Sequence, residues 1–170
     1  MATALVTLLL LSPLILLHAQ SPATIDVSST YRLTNNYTGL GKAFAARNDG
    51  SGQLEMAATA DSPLQYWRFV LLQTGPTQYA LRTVYYGDSF SLDVLNDQGV
   101  NSTSVQLSAT GHYSGQYWTI TPWGDGTYPF SNSFTGPTKH LDVFSNTFQP
   151  TLSLDYGGSR YPTTIIWIAR

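Results

Sequence analysis

The chain contains no cysteine in 170 residues. That removes thiol catalysis, cysteine-ligated zinc and disulfide redox chemistry from consideration. A domain of this size buries enough surface to fold without disulfides, so the lack of cysteine does not argue against an extracellular setting. Charge is scarce as well. Asp, Glu, Lys and Arg make up 11% of the residues, and the formal net charge is −2. The eight basic residues are scattered and never adjacent. Nucleic-acid binding depends on clustered cations that displace counterions, so no nucleic-acid partner is expected. The acidic residues are equally dispersed and form no tail or metal-binding tract. Catalytic frames are missing too: there is no Gly-x-Ser-x-Gly, no His-Glu-x-x-His and no phosphate loop. No stretch after the N-terminus sustains a helical apolar period over three turns.

What is present begins with an apolar run at residues 4–17, ALVTLLLLSPLILL, followed by His18-Ala19-Gln20. It reads as a secretory signal cut after the small residue Ala19. The run is broken by Ser12-Pro13 and falls short of the ~20 residues a spanning helix needs. The expected organisation is a cleaved signal at 1–19, an extension at 20–29 and one domain over 30–170. The mature chain would be secreted, with no membrane span. Two sequons, Asn36-Tyr37-Thr38 and Asn101-Ser102-Thr103, lie among turn-forming residues and make Asn36 and Asn101 candidate N-glycosylation sites.

The rest of the chain alternates short Val-, Leu-, Tyr-, Phe- and Thr-rich tracts with Gly, Asn, Asp, Ser and Pro clusters, the pattern of many short strands. These tracts repeat. Gln65-Tyr66-Trp67 and Gln116-Tyr117-Trp118 match each other and resemble Ile165-Ile166-Trp167, with Trp spacings of 51 and 49. Each unit opens on a tyrosine (Tyr31, Tyr79, Tyr128), and fourteen residues later come Ala45, Asp93 and Asp142. A third strand follows as Leu54-Glu55-Met56, Val105-Gln106-Leu107 and Leu152-Ser153-Leu154. Leu92 and Val94 flank Asp93, and Leu141 and Val143 flank Asp142, so the apolar pairs face inward while the acids face out. A four-strand unit cannot bury its apolar face alone, and three packed units can. The expected copies run over about 30–76, 77–126 and 127–170. The tryptophans are read as core pieces; Trp123 falls outside the pattern, in a turn joining the second and third copies.

These columns resemble the ricin B-type lectin family, whose hallmarks are a Leu-Asp-Val-like strand and a Gln-x-Trp strand about 25 residues later. Asp93 to Trp118 and Asp142 to Trp167 are each 25. The resemblance implies an all-β fold, a β-trefoil with a pseudo-threefold internal repeat. It also implies carbohydrate binding in shallow pockets, with glycans or glycoproteins as partners and no cofactor or metal. In such pockets the Asp accepts hydrogen bonds from two sugar hydroxyls, a role an acceptor-only carboxylate suits. Asp93 and Asp142 take that place in copies two and three, and Ala45 leaves copy one without it. The family's stacking aromatic after the third-strand Leu is replaced by Ala57, Ser108 and Asp155. Tyr113, in the loop Gly111-His112-Tyr113-Ser114-Gly115, and Tyr156 are the candidate substitutes. Gln116, Asn146 and these aromatics complete the expected carbohydrate-binding set with Asp93 and Asp142.

Each member also has a plain structural reading. Asp residues before turns brace the following loop through backbone N–H groups, and Gln116 can brace its own copy. Carboxylates for glycoside hydrolysis sit about 5–9.5 Å apart across a cleft. Asp93 and Asp142 belong to different copies, so no hydrolytic pair is expected and the chain is read as non-catalytic. The alternatives are a secreted β-trefoil protease inhibitor acting through an exposed loop, and a trefoil interaction protein that has lost sugar binding.

Overall fold

The computed structural model describes residues 25–75, 77–122, 127–144, 149–154 and 163–168. The expected signal segment, Trp123, Asn146 and Tyr156 lie outside them. Copy one supplies β1 (Thr30–Asn35), β2 (Lys42–Ala46), β3 (Leu54–Ala58) and β4 (Trp67–Leu71). Copy two supplies β5 (Gln78–Thr83), β6 (Phe90–Val94), β7 (Val105–Ala109) and β8 (Trp118–Ile120). Copy three supplies β9 (Thr127–Tyr128), β10 (Phe130–Asn132), β11 (Gly136–Val143), β12 (Pro150–Leu154) and β13 (Thr163–Ile168). The only helices among the described residues are three single 3-10 turns, and none is long and apolar enough to cross a membrane.

Six strand positions close into a barrel in the order β10, β8, β5, β4, β1, β13, β9. β9 and β10 are one strand interrupted at Pro129, which has no N–H to give to a ladder. The outer pairs β2–β3, β6–β7 and β11–β12 are antiparallel hairpins. A closed barrel with three hairpins is the β-trefoil arrangement, and closure removes the edge strands that would invite aggregation.

The core follows the repeat columns. Leu33, Leu81 and Phe130, each two residues after an opening tyrosine, are fully buried. Phe44, Leu92 and Leu141 form the next layer, and Met56, Leu107 and Leu152 the third. Trp67 and Trp118 have no exposed surface. Their indole N–H groups donate to Phe44 O at 2.8 Å and Leu92 O at 3.0 Å. Each tryptophan therefore fills the core and fixes the strand that carries Ala45 or Asp93 at the next residue.

The register of copy three differs from the one the sequence columns suggest. Ala45 faces Glu55, Asp93 faces Gln106, and Asp142 faces Thr151. Thr151 thus takes the place expected for Ser153. Trp67 faces Thr83 and Tyr31, and Trp118 faces Asn132 and Tyr79. The residue that faces Asn35 and Tyr128 is Thr163. Thr163 therefore stands in the tryptophan column, and Trp167 sits four residues further along, opposite Tyr31. The cause is loop length. Residues 144–149 join Val143 to Pro150, whereas the longer segment 95–104 joins Val94 to Val105. Matching copies on their tryptophans assumes equal hairpins, and the shorter one moves everything after it.

Around the pseudo-threefold axis the copies interlock through backbone. Leu107 N–H donates to Gly52 O at 2.7 Å, and Leu152 N–H donates to Thr103 O at 2.8 Å. Gly52 and Thr103 occupy equivalent positions, three residues before Glu55 and Gln106. Gly52 has φ +73°, and a Cβ there would lie 2.5 Å from the Leu107 carbonyl oxygen. Gly52→Ala is therefore expected to cost about 1–3 kcal/mol through backbone strain and steric overlap. Urea unfolding measures this, and an unchanged midpoint would contradict the close approach.

Candidate functional site

Asp93 lies on β6, half-buried. It lines a cleft of about 500 Å³ together with Val94, Asn96, Gln106, His112, Tyr113, Ser114, Gly115 and Phe134. That volume falls in the usual range of small-molecule sites, about 300–1,000 Å³. Among the described lining residues Asp93 is the one carboxylate.

Gln116 holds this carboxylate. Its side-chain amide donates to Asp93 Oδ2 at 3.1 Å and to Ala109 O at 2.9 Å, while its Oε1 accepts from Gly111 N–H at 3.0 Å. Gln65 makes the same brace in copy one, to Ala58 O and Ala60 N–H, where Ala45 offers no carboxylate. Gln116 is 1% exposed. It acts on the cleft through Asp93 rather than by facing solvent.

Gly115 forms the floor. A Cβ at this position would overlap Asp93 Oδ1, so only glycine lets the backbone come this close to the carboxylate. Gly115→Ala should push Asp93 out of position and weaken ligand binding while leaving the fold intact. Calorimetric titration beside a thermal melt separates the two effects.

Two aromatic rings border the cleft. Tyr113 is 62% exposed, and its ring packs so closely over Gly111 that any side chain there would displace it. Phe134 comes from copy three. Asn132, buried at 1% exposure, sets both neighbours: its amide donates to Gly115 O at 2.8 Å, and its Oδ1 accepts from Phe134 N–H at 2.9 Å. One asparagine from the next copy thus positions the floor and an aromatic wall. Sequence reasoning missed Asn132, Phe134, Gln106 and Asn96. A signal for the first two was present. Asn35, Thr83 and Asn132 stand four residues after each opening tyrosine, and Tyr37, Tyr85 and Phe134 stand six after.

Asp142 is placed differently. It is 7% exposed, its Oδ1 accepts from Val143 N–H at 2.8 Å, and Asn35 Nδ2 approaches it at 3.4 Å. A void of about 10 Å³ lies on its core side, against Phe44, Met56 and Leu141, whereas residues 145–148 and 155–162, the counterparts of the loops bordering Asp93, lie outside the described residues. Among the described residues Asp142 links copy three to copy one through Asn35. Asn36 and Asn101 are both exposed at turns.

A model of the ricin-type beta-trefoil lectin domain-like family matches residues 63–151. The chain belongs to this family. The matched segment contains the whole Asp93 cleft, so the ricin-type signature and the open cleft coincide. Solved structures share the trefoil fold at low identity. The designed three-fold symmetric protein ThreeFoil is 23% identical over 81% of this chain and 97% of its own, with a TM-score of 0.67. The exo-β-1,3-galactanase 1,3Gal43A from Clostridium thermocellum is 22% identical over 83% of this chain and 30% of its own, with a TM-score of 0.70. The Polyporus squamosus lectin, bound to Neu5Acα2-6Galβ1-4GlcNAc, is 12% identical over 81% of this chain and 48% of its own, with a TM-score of 0.65. At these identities the likeness is one of fold. The ricin-type trefoil described here spans less than half of the galactanase or the Polyporus lectin. No curated protein sequence matches the chain.

Proposed function

We propose that the protein is a secreted, non-catalytic glycan-binding protein that takes sugar hydroxyls at Asp93. The observation that carries this is the Asp93–Gln116 pair at 3.1 Å, opening into a cleft with two aromatic walls. A carboxylate oriented by an amide accepts hydroxyl protons, and an exposed ring covers the apolar face of a sugar. The cleft's remaining polar side chains are neutral amides, a serine, a tyrosine and His112. Among the described lining residues Asp93 has no second carboxylate for hydrolysis by a paired mechanism. This reading places one open site in copy two and makes the copy-three carboxylate a brace.

The test is a glycan array probed with the mature protein. Galactose-containing probes head the set, because the Polyporus squamosus lectin, which shares the fold, is described with Neu5Acα2-6Galβ1-4GlcNAc. Binding that survives in Asp142→Asn, within about twofold, is the expected outcome, since charged groups outside the contact contribute little to affinity. A blank array would sink the reading. Under the same proposal, Asn36 and Asn101 carry N-glycans. Enzymatic removal of N-glycans from protein secreted by a eukaryotic host should then reduce its mass, and an unchanged mass would contradict it.

A further inference from the structure

A second concavity, of about 410 Å³, lies on the pseudo-threefold axis, where all three copies contribute a wall. Gln53 comes from copy one, Leu95, Ser104 and Gln106 from copy two, and Phe144 and Gln149 from copy three. Gln106 also lines the Asp93 cleft. The segment after β6 alternates between the two: Val94 and Asn96 border the Asp93 cleft, while Leu95 borders the axial groove. One rim of chain, with Gln106 at its crest, therefore separates two adjoining depressions.

We propose that the axial groove is an extension of the Asp93 site, so that the ligand is a neutral oligosaccharide. Its terminal ring sits at Asp93, and its following rings cross Gln106 into the groove. This rests on the glycan-binding reading above. The groove's chemistry suits it. The described lining residues carry no charge and combine side-chain amides and hydroxyls with apolar side chains, of which Phe144 at 51% and Leu95 at 38% are the most exposed. A sugar presents the same combination, a hydroxyl rim around an apolar ring face. A sialylated or sulfated chain would find no cation among these residues.

The rim is held in place before any ligand arrives. Ser102 is fully buried, and its hydroxyl donates to Leu95 O and contacts Asp97 Oδ1 at 2.8 Å. The Lys139 ammonium, reaching across from copy three, donates to Val100 O at 3.1 Å and Ser102 O at 3.2 Å. A rim already fixed by these bonds loses little entropy on binding. The axial groove also differs from the repeat pockets in number. The Asp column offers one position per copy, while the axis offers a single groove that the copies share.

The test is an array carrying mono-, di- and tetrasaccharides with the same terminal sugars. It is probed with the intact mature protein and with Asp93→Asn, Phe144→Ala and Ser104→Tyr, each checked by a thermal melt. Phe144 is exposed, so its truncation removes no core contact, and it carries the test should Ser104→Tyr fold poorly. We expect tetrasaccharides to bind at least about tenfold more tightly than the matching monosaccharides, a difference of about 1.4 kcal/mol. Phe144→Ala and Ser104→Tyr should cancel that advantage and leave monosaccharide binding as it was, while Asp93→Asn should lose both. If chain length brings no gain and Phe144→Ala changes nothing, the extension is overturned and the Asp93 site stands. A blank array with the unsubstituted protein overturns both.

Discussion

Asp93→Asn is expected to lower glycan affinity by about 10- to 100-fold, the value of one or two charge-assisted hydrogen bonds. The substitution keeps the shape of the side chain and replaces an acceptor oxygen with a donor. Gln116 already donates one amide N–H to Asp93 Oδ2 and the other to Ala109 O. An asparagine must therefore either set its own NH₂ against that donor, losing the bond from Gln116, or turn it toward the sugar, losing the acceptor that a hydroxyl proton needs, and either way the charge assistance is gone. Asp93 is half-buried rather than core, so the melting temperature should move little. Gln116→Ala should behave in the opposite proportion. It frees Asp93 to swing and strands Ala109 O and Gly111 N–H, so it loses stability as well as affinity. Titration calorimetry with an array-positive glycan measures both variants. Full affinity in Asp93→Asn would exclude this carboxylate as the sugar ligand.

Much of the fold was legible in the sequence because strand repeats leave regular marks. The opening tyrosines, the Leu-Asp-Val frames and Gln65-x-Trp67 with Gln116-x-Trp118 fall where period-two alternation and three copies put them. Copy three was harder to read because loop length has no periodic mark. Its short second hairpin shifts Thr151 opposite Asp142 and Thr163 into the tryptophan column. The site was half legible. Asp93 and Tyr113 stood out as a carboxylate and an exposed aromatic at motif positions. Asn132 and Phe134 act across the boundary between copies, so a reading made copy by copy had no reason to join them to Asp93. Asp142 stands in a nearly identical strand frame, and Asn35 reaches it from copy one, a contact between copies that the motif itself does not announce.

Trp118→Ala should destabilise the protein by about 3–5 kcal/mol, the usual cost of truncating a large buried aromatic. Trp118 has no exposed surface, and its indole donates to Leu92 O. Removing it opens a cavity against Leu92 and leaves a buried carbonyl unpaired, itself a penalty of about 1–3 kcal/mol. Against a typical total of about 5–15 kcal/mol the variant sits near the folding threshold. A fall of about 10–20 °C in melting temperature is the expected reading. Trp118→Phe separates packing from hydrogen bonding. It keeps a ring in the core and loses the N–H donor, so its cost should be much smaller. The bond it loses ends on Leu92, the residue before Asp93. If the core tryptophan also steadies the ligand carboxylate, Trp118→Phe should weaken glycan binding at temperatures well below its melt, by less than Asp93→Asn does. Unchanged affinity in a measurably destabilised Trp118→Phe would show that the strand carrying Asp93 holds its place without the indole, leaving Gln116 and Gly115 to set the carboxylate alone.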